Sequence, residues 1–392
     1  MQKIRIGLVG AGFAARFHKA CLDRVYGAEI EIAGVYSRRA ESRRAFGAEF
    51  NVPVCDTLAD LVERVDLLDI CSPPYAHEEG ILAAAAARVG IICEKPLTGY
   101  FGPADAGETW RGNRSPKEPM LAEVVNRLQR IAAAVRESGV FFGYAENFVY
   151  APSLQKEREI ITKSGAQVLR MTGEESHNGS HSPTYGLWRL AGGGSLIGKG
   201  CHPLTGMLYL KRVEGAARGK PIRPVAVSAR VHELTRLPAY RDAGLIRTDY
   251  HDIEDFGIMH VVFEDGTVCD ALTSEIVLGG MYDYVEVFAN NHRTRCCLSP
   301  VWMAETYNPR AEQFKDIYLM EKASTQEGWA PAAPDENWTI GYQPEIQDFV
   351  LAALANRPPQ SDLELALDTT ATIYAAYVSA ERRGAEVEIP RL

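Results

Sequence analysis

The opening segment restricts the fold of this chain more than any other. Ile4, Ile6, Leu8 and Val9 form a short apolar run that reads as a strand. Gly10-Ala11-Gly12-Phe13-Ala14-Ala15 follows at once, and Phe13, Phe17, Ala20 and Cys21 then recur at helical spacing. Strand, glycine turn and helix in this order carry the G-x-G-x-x-A form of a dinucleotide-binding loop. Gly10 permits the tight turn, Gly12 lets a pyrophosphate approach the backbone, and Ala15 lets the helix pack close to the strand. The phosphates would rest on the helix N-terminus beside Phe13 and Ala14, where free N–H groups favour negative charge. A tight β–α turn without a ligand would show the same residues, so the chain that follows has to decide.

A second strand, 31–36, ends in Ser37-Arg38-Arg39. An NAD site usually places an acid here for the ribose 2′-hydroxyl; serine and arginine suit a 2′-phosphate, so the expectation is NADP over NAD. The alternative is that Arg38 and Arg39 open a solvated helix. Apolar strands at 67–71 and 90–93 then alternate with helical patterns at 42–50, 58–64 and 78–88. Such alternation predicts a doubly wound parallel sheet with ligands at the carboxyl ends of its strands. Three unusual segments fall at such ends: 10–15, Ser72-Pro73-Pro74-Tyr75-Ala76-His77, and Glu94-Lys95-Pro96. His77 is read either as a first-turn helix residue or as a cofactor contact.

The 392 residues, at about 150 per domain, suggest two or three domains. A content of 46% hydrophobic and 24% charged residues is that of a soluble globular chain. The net charge of −9, with no basic run, argues against a nucleic-acid or membrane-surface partner. Eight cysteines without a CxxC, and a first strand that begins without a signal-peptide pattern, predict reduced thiols and a cytoplasmic protein. No metal site is expected.

The glycine loop, the Ser-Pro-Pro-Tyr-Ala-His segment, Cys-Glu-Lys-Pro-Leu at 93–97 and Gly192-Gly193-Gly194-Ser195-Leu196-Ile197-Gly198-Lys199-Gly200-Cys201-His202 together resemble the Gfo/Idh/MocA family. The resemblance implies an N-terminal Rossmann domain (1–146) and a C-terminal α/β domain (147–392) with a large open, mostly antiparallel sheet. It also implies hydride transfer between NAD or NADP and a hydroxyl or keto carbon of a sugar, cyclitol or glycoside, in a homodimer or homotetramer. Lys95 matches the family's catalytic lysine, Glu94 borders the nicotinamide pocket, and His202 matches the general acid/base. Ser72, Pro73 and Pro74 fall at the cofactor site.

The departures are equally informative. The acids expected four residues before and three after the histidine are Gly198 and Thr205. Asn147, Tyr150, Glu175 and His177 are candidate substrate contacts that compensate. Glu174, Glu175, His177 and His181 are read as part of a Gly/Ser/Pro loop, too mobile for a metal cage. Trp188 is either a pocket wall or core, and Lys199 either adds positive charge to the pocket or points to solvent. Residues 98–119 form an insertion, read as a lid or oligomer arm with Trp110, Arg111 and Arg114 as contacts. The 303–335 stretch is irregular and expected to cover the sheet or a partner. Two other functions remain open at this point: redox-neutral glycoside chemistry with tightly bound NAD, and a non-catalytic nucleotide-binding protein.

Overall fold

Five apolar runs become the parallel strands β1 (Gln2–Val9), β2 (Ala28–Tyr36), β3 (Leu67–Ile70), β4 (Gly90–Glu94) and β5 (Phe142–Ala145). The computed structural model describes residues 1–323 and 325–392. The sheet order is β2-β1-β3-β4-β5, and Val54 adds a parallel bridge to Val35 outside β2. β3 is buried at every position, as a parallel strand covered on both faces should be. The chain leaves β1 for β2 on one side and returns to β3 on the other, so the ligand crevice opens between their carboxyl ends.

The second sheet is built from β6 (Val168–Ser176), β7 (Pro224–His232), β8 (Phe256–Phe263), β9 (Val268–Ser274), β10 (Tyr282–Ala289) and β11 (Arg293–Cys297). A small pair, β12 (Glu305–Asn308) with β13 (Gly328–Pro331), stands apart, and β14 (Val387–Glu388) closes one edge. The order is β11-β10-β6-β9-β8-β7-β14; β6 and β9 run parallel and the other neighbours antiparallel. Helices Pro152–Ser164, Cys201–Ala217 and Leu363–Glu381 pack against this sheet. The α/β class, with a Rossmann sheet and a large, mostly antiparallel sheet, is therefore as expected. One local reading is corrected: Glu174, Glu175 and Ser176 are the end of the central strand β6, and the loop begins at His177.

The last helices return to the first sheet. Tyr342–Leu354 packs on Phe13–Leu22, where Gln343 donates to the Cys21 carbonyl at 3.2 Å, and Tyr144 of β5 donates its N–H to Ser361 at 2.9 Å. The 98–116 segment is a brace, which corrects its reading as a lid. No residue of it lines the cleft described below. Tyr100 donates its N–H to the Tyr374 hydroxyl at 2.6 Å, Trp110 packs on Tyr100, and buried Asp252 accepts both Gly112 N–H and Trp188 N–H at 2.8 Å. Arg111 is spent on the carbonyls of Glu108 and Trp110, and Arg114 is exposed.

Asp252→Ala would leave two buried N–H groups without an acceptor, at about 1–3 kcal/mol each. We expect a loss of about 2–6 kcal/mol in chemical denaturation, with faster amide exchange at Gly112 and Trp188.

Candidate active site

A single cleft of about 600 Å³ runs from the glycine turn to the helix that starts at Cys201. Gly10 (φ 117°) donates its N–H to Tyr36 at 2.8 Å, and a Cβ there would sit 2.6 Å from the Cys71 carbonyl oxygen. A Cβ on Gly12 would meet nothing within 4 Å, so the approach to the backbone is open on that side. Gly12 caps helix Phe13–Leu22 without a side-chain bond, which leaves the first N–H groups facing the crevice. Ala15 is fully buried against the strand, whereas Phe13 is 65% exposed. Gly10, Gly12, Phe13, Ala14, Ser37, Arg38, Ser72, Pro73 and Pro74 all line the cleft, and the buried Ser72 hydroxyl has no protein partner.

Behind this wall lies an ion network that sequence reasoning missed. His18 Nδ1 meets both carboxylate oxygens of Asp69 at 3.0 Å, and its Nε2 meets Glu94 at 3.1 Å, all three groups buried. Two acceptors on two ring nitrogens require the doubly protonated ring. Burial opposes that charge, but Asp69 and the Cys71 thiol outweigh it and hold His18 well above its ordinary pKa. The other Glu94 oxygen accepts Lys95 N–H at 2.9 Å. Lys95 Nζ then donates to the Gly198 carbonyl at 2.8 Å, across to the second half of the molecule. Burial works against the Lys95 charge too, yet the acidic groups around it (Tyr185, Cys201, Glu175 and Glu94) raise it well above its usual value.

His202, in the first turn of Cys201–Ala217, stacks on Phe148 with ring centroids 5.2 Å apart. Its Nδ1 is hydrogen-bonded to the fully buried Glu146, and its Nε2 lies 3.4 Å from Glu175 on the cleft wall. Burial lowers His202 to about 4 and raises both Glu146 and Glu175 to about 8. The acids absent at Gly198 and Thr205 thus have counterparts on β6 and just after β5. Glu146 sits one residue from Asn147, a candidate substrate contact by sequence, but nothing in its own neighbourhood marks it.

The glycine run is held by Glu254, whose carboxylate accepts N–H groups of Gly194 at 3.2 Å and Leu196 at 3.0 Å. A Cβ on Gly193 (φ 157°) would lie 2.2 Å from the Tyr377 hydroxyl.

Other expected site residues lie elsewhere. Lys199 neither charges the pocket nor reaches solvent: it is buried, 2.8 Å from Glu275 and 3.1 Å from His177 Nδ1. Trp188 is core, packed on Tyr377 at 4.9 Å, and does not line the cleft. Asn147 donates to the Ile340 carbonyl and Tyr150 to Asp348, both away from the cleft. His77 is fully buried between the carbonyls of Pro96 (2.9 Å) and Ser72 (2.7 Å), tying two site loops together behind the surface. His177 does line the cleft, with its Nδ1 accepting Gly179 N–H at 3.1 Å. The 303–335 stretch brings Glu321 and Lys322 to the cleft wall.

Residues 4–115 match a family model described as "Oxidoreductase family, NAD-binding Rossmann fold". The chain is 30% identical over 93 residues to glucose-6-phosphate 3-dehydrogenase of Bacillus subtilis (24% of this chain, 26% of that one). It is 25% identical over 235 residues to trans-1,2-dihydrobenzene-1,2-diol dehydrogenase of Mus musculus, which covers 59% of this chain and 61% of the relative. The matched stretches therefore span from about a quarter to three-fifths of these curated relatives' lengths. In fold it is similar to GenD2 from gentamicin A biosynthesis, solved in complex with NAD (TM-score 0.77, 22% identity, 100% and 97% of the two chains). It is also similar to scyllo-inositol dehydrogenase from Lactobacillus casei, solved with NAD(H) and scyllo-inositol (TM-score 0.70, 14% identity, 99% of each chain).

Glu175, pushed up to about 8 by burial, has a folded pKa above its unfolded one. Its stabilising contribution is then complete in acid and lost as pH rises towards about 8. Glu175→Gln removes the titration, so thermal melts should show the variant gaining on the native protein at about pH 8 relative to about pH 5. An unchanged difference between the two pH values would show that Glu175 carries no such shift.

Proposed function

We propose that this chain, whose nucleotide domain belongs to the Gfo/Idh/MocA oxidoreductase family, is a dehydrogenase acting on a hydroxyl of a sugar, cyclitol or glycoside. The observation that carries the reading is the shared cleft: the glycine turn lines one end, and Lys95, Glu175 and His202 line the other. The residues fit a nicotinamide dinucleotide, because Gly12 leaves open space, the helix N–H groups are free, and Ser72 Oγ is buried without a partner. When bound, that group supplies the hydride acceptor or donor.

The remaining chemistry belongs to the chain. Glu146 and His202 share a proton across their Nδ1 contact; with it on Nδ1, Nε2 presents a lone pair to the substrate hydroxyl. Lys95, kept protonated and aimed by its bond to Gly198, stabilises the developing oxyanion. Glu175 stands beside Nε2 as a second proton holder on the cleft wall.

NADP is proposed over NAD. Ser37, Arg38, Arg39 and Ser42 line the adenosine end, and no acid occupies 37–40. Arg38 lies 5.3 Å from the Tyr75 ring and is paired with exposed Glu79, a partner that a 2′-phosphate can replace. A homodimer or homotetramer is also proposed, on the exposed Leu169 and Ile258 of the large sheet. Eight free cysteines, seven of them buried, favour a reducing cytoplasmic setting. No helix among the described residues is long and apolar enough to cross a membrane.

Lys95→Met should lower turnover at least about a hundredfold while dinucleotide binding, followed by nicotinamide fluorescence, is retained. Full turnover in this variant would sink the mechanism. Arg38→Ala should raise the KM for NADP about tenfold and leave that for NAD nearly unchanged; equal effects on the two would remove the NADP preference.

A further inference from the structure

Gly198 and Tyr185 occupy one space. A Cβ on Gly198 would lie 3.0 Å from Tyr185 Cε1 and 3.3 Å from Cδ1, closer than ordinary van der Waals contact. The ring that fills this space also stands 5.8 Å from Lys95 Nζ, within the reach of a cation–π contact. Gly198 meanwhile gives its carbonyl to the same amine at 2.8 Å. Position 198 therefore holds the lysine through its backbone and makes room for a phenol through its missing side chain.

The phenol is placed for a ligand. Tyr185 lines the cleft together with Lys95, Glu175 and His202. Among the described residues no protein group hydrogen-bonds its hydroxyl. The turn that carries it is closed by Tyr185 N–H donating to Ser182 at 3.2 Å, so the ring is presented by a defined backbone. Burial holds the phenol above its ordinary pKa although Lys95 pulls it down, which keeps the O–H as a neutral donor and acceptor.

We propose that Tyr185 is a substrate-contacting residue, whose hydroxyl binds the substrate hydroxyl next to the reacting carbon and whose ring steadies Lys95, with Gly198 as the vacancy that admits it. The assignment rests on the dehydrogenase reading above. It deepens that reading by adding a second polar contact: one substrate hydroxyl faces Lys95 and His202, and a neighbouring one is left for the phenol.

The test is steady-state kinetics of the native protein, Lys95→Met, Tyr185→Phe, Gly198→Ala and the Tyr185→Phe/Gly198→Ala double variant. Each is assayed with NAD and NADP on myo-inositol, glucose 6-phosphate and a methyl glucoside, with NADPH binding followed by fluorescence. Tyr185→Phe keeps the ring and should cut kcat/KM about tenfold with NADPH affinity unchanged. Gly198→Ala should cause a comparable loss by displacing the ring, and the double variant should lose little more than the worse single one. If the native protein is active, Lys95→Met is not, and Tyr185→Phe matches the native protein, the Tyr185 assignment alone is overturned. Additive losses in the double variant overturn the coupling of the two positions. A native protein inactive on the whole panel removes the dehydrogenase reading and this inference with it.

Discussion

His18 carries a positive charge into the interior, where an unpaired one would be expelled, and it persists because Asp69 and Glu94 close on both ring nitrogens. Each partner belongs to a different part of the nucleotide half. His18 lies on the helix that follows the glycine turn, Asp69 on β3, and Glu94 at the end of β4. The bridge therefore fixes the helix whose N-terminus faces the cleft relative to the two strands that end beside it. Because Glu94 also accepts Lys95 N–H, the same charge sets the start of the turn that aims the lysine. The glycine-turn end and the lysine end of the cleft are registered to one another by a group that lines neither.

The carboxylates around His202 show how one site can be completed from another part of the chain. Gly198 and Thr205 offer no acid, and Thr205 spends its hydroxyl on Cys201 O at 2.6 Å and Thr369. Glu146 arrives from the segment after β5 and Glu175 from β6, so the imidazole is bracketed on both nitrogens. Both acids are buried and both are pushed up to about 8, which makes them reservoirs of protons near neutrality rather than fixed charges. A single acid on the helix would meet one ring nitrogen of His202; here each nitrogen faces a carboxyl group that burial has pushed up.

The parts of the fold that local pattern specifies were legible. Gly10 and Gly12, the β3 and β4 runs, and the Lys95 turn all announce themselves within a few residues. β6 did not, because the exposed pair Leu169 and Arg170 breaks its alternation and two acids, Glu174 and the buried Glu175, stand near its end, so the end of a central strand looked like polar loop. Glu146 and His18 were invisible for a different reason. Their partners lie 56 and 51–76 positions away, and no spacing rule links residues brought together by a crossover. Lys199 misled in the opposite sense: a lysine beside a presumed pocket looked like free charge, while Glu275, 76 residues on by number, had already neutralised it.

That last pairing bears on how an acidic chain presents cations at all. Arg38 is matched by Glu79 and Lys199 by Glu275, so neither offers bare charge to the cleft. Lys95 Nζ instead donates to a neutral carbonyl, which orients it without discharging it. A carboxylate in that role would bind the amine more strongly but would compete with a developing oxyanion for it. A backbone acceptor at a residue without a side chain avoids that competition, and it ties the lysine of the first sheet to the glycine run of the second half. The run can serve this purpose because Glu254 and Tyr377 hold Gly194 in place from behind. The orientation of Lys95 is thus set by buried ionisable groups on both sides of the cleft, the His18–Glu94 pair behind its backbone and Glu254 behind its acceptor, while its charge stays available at the centre.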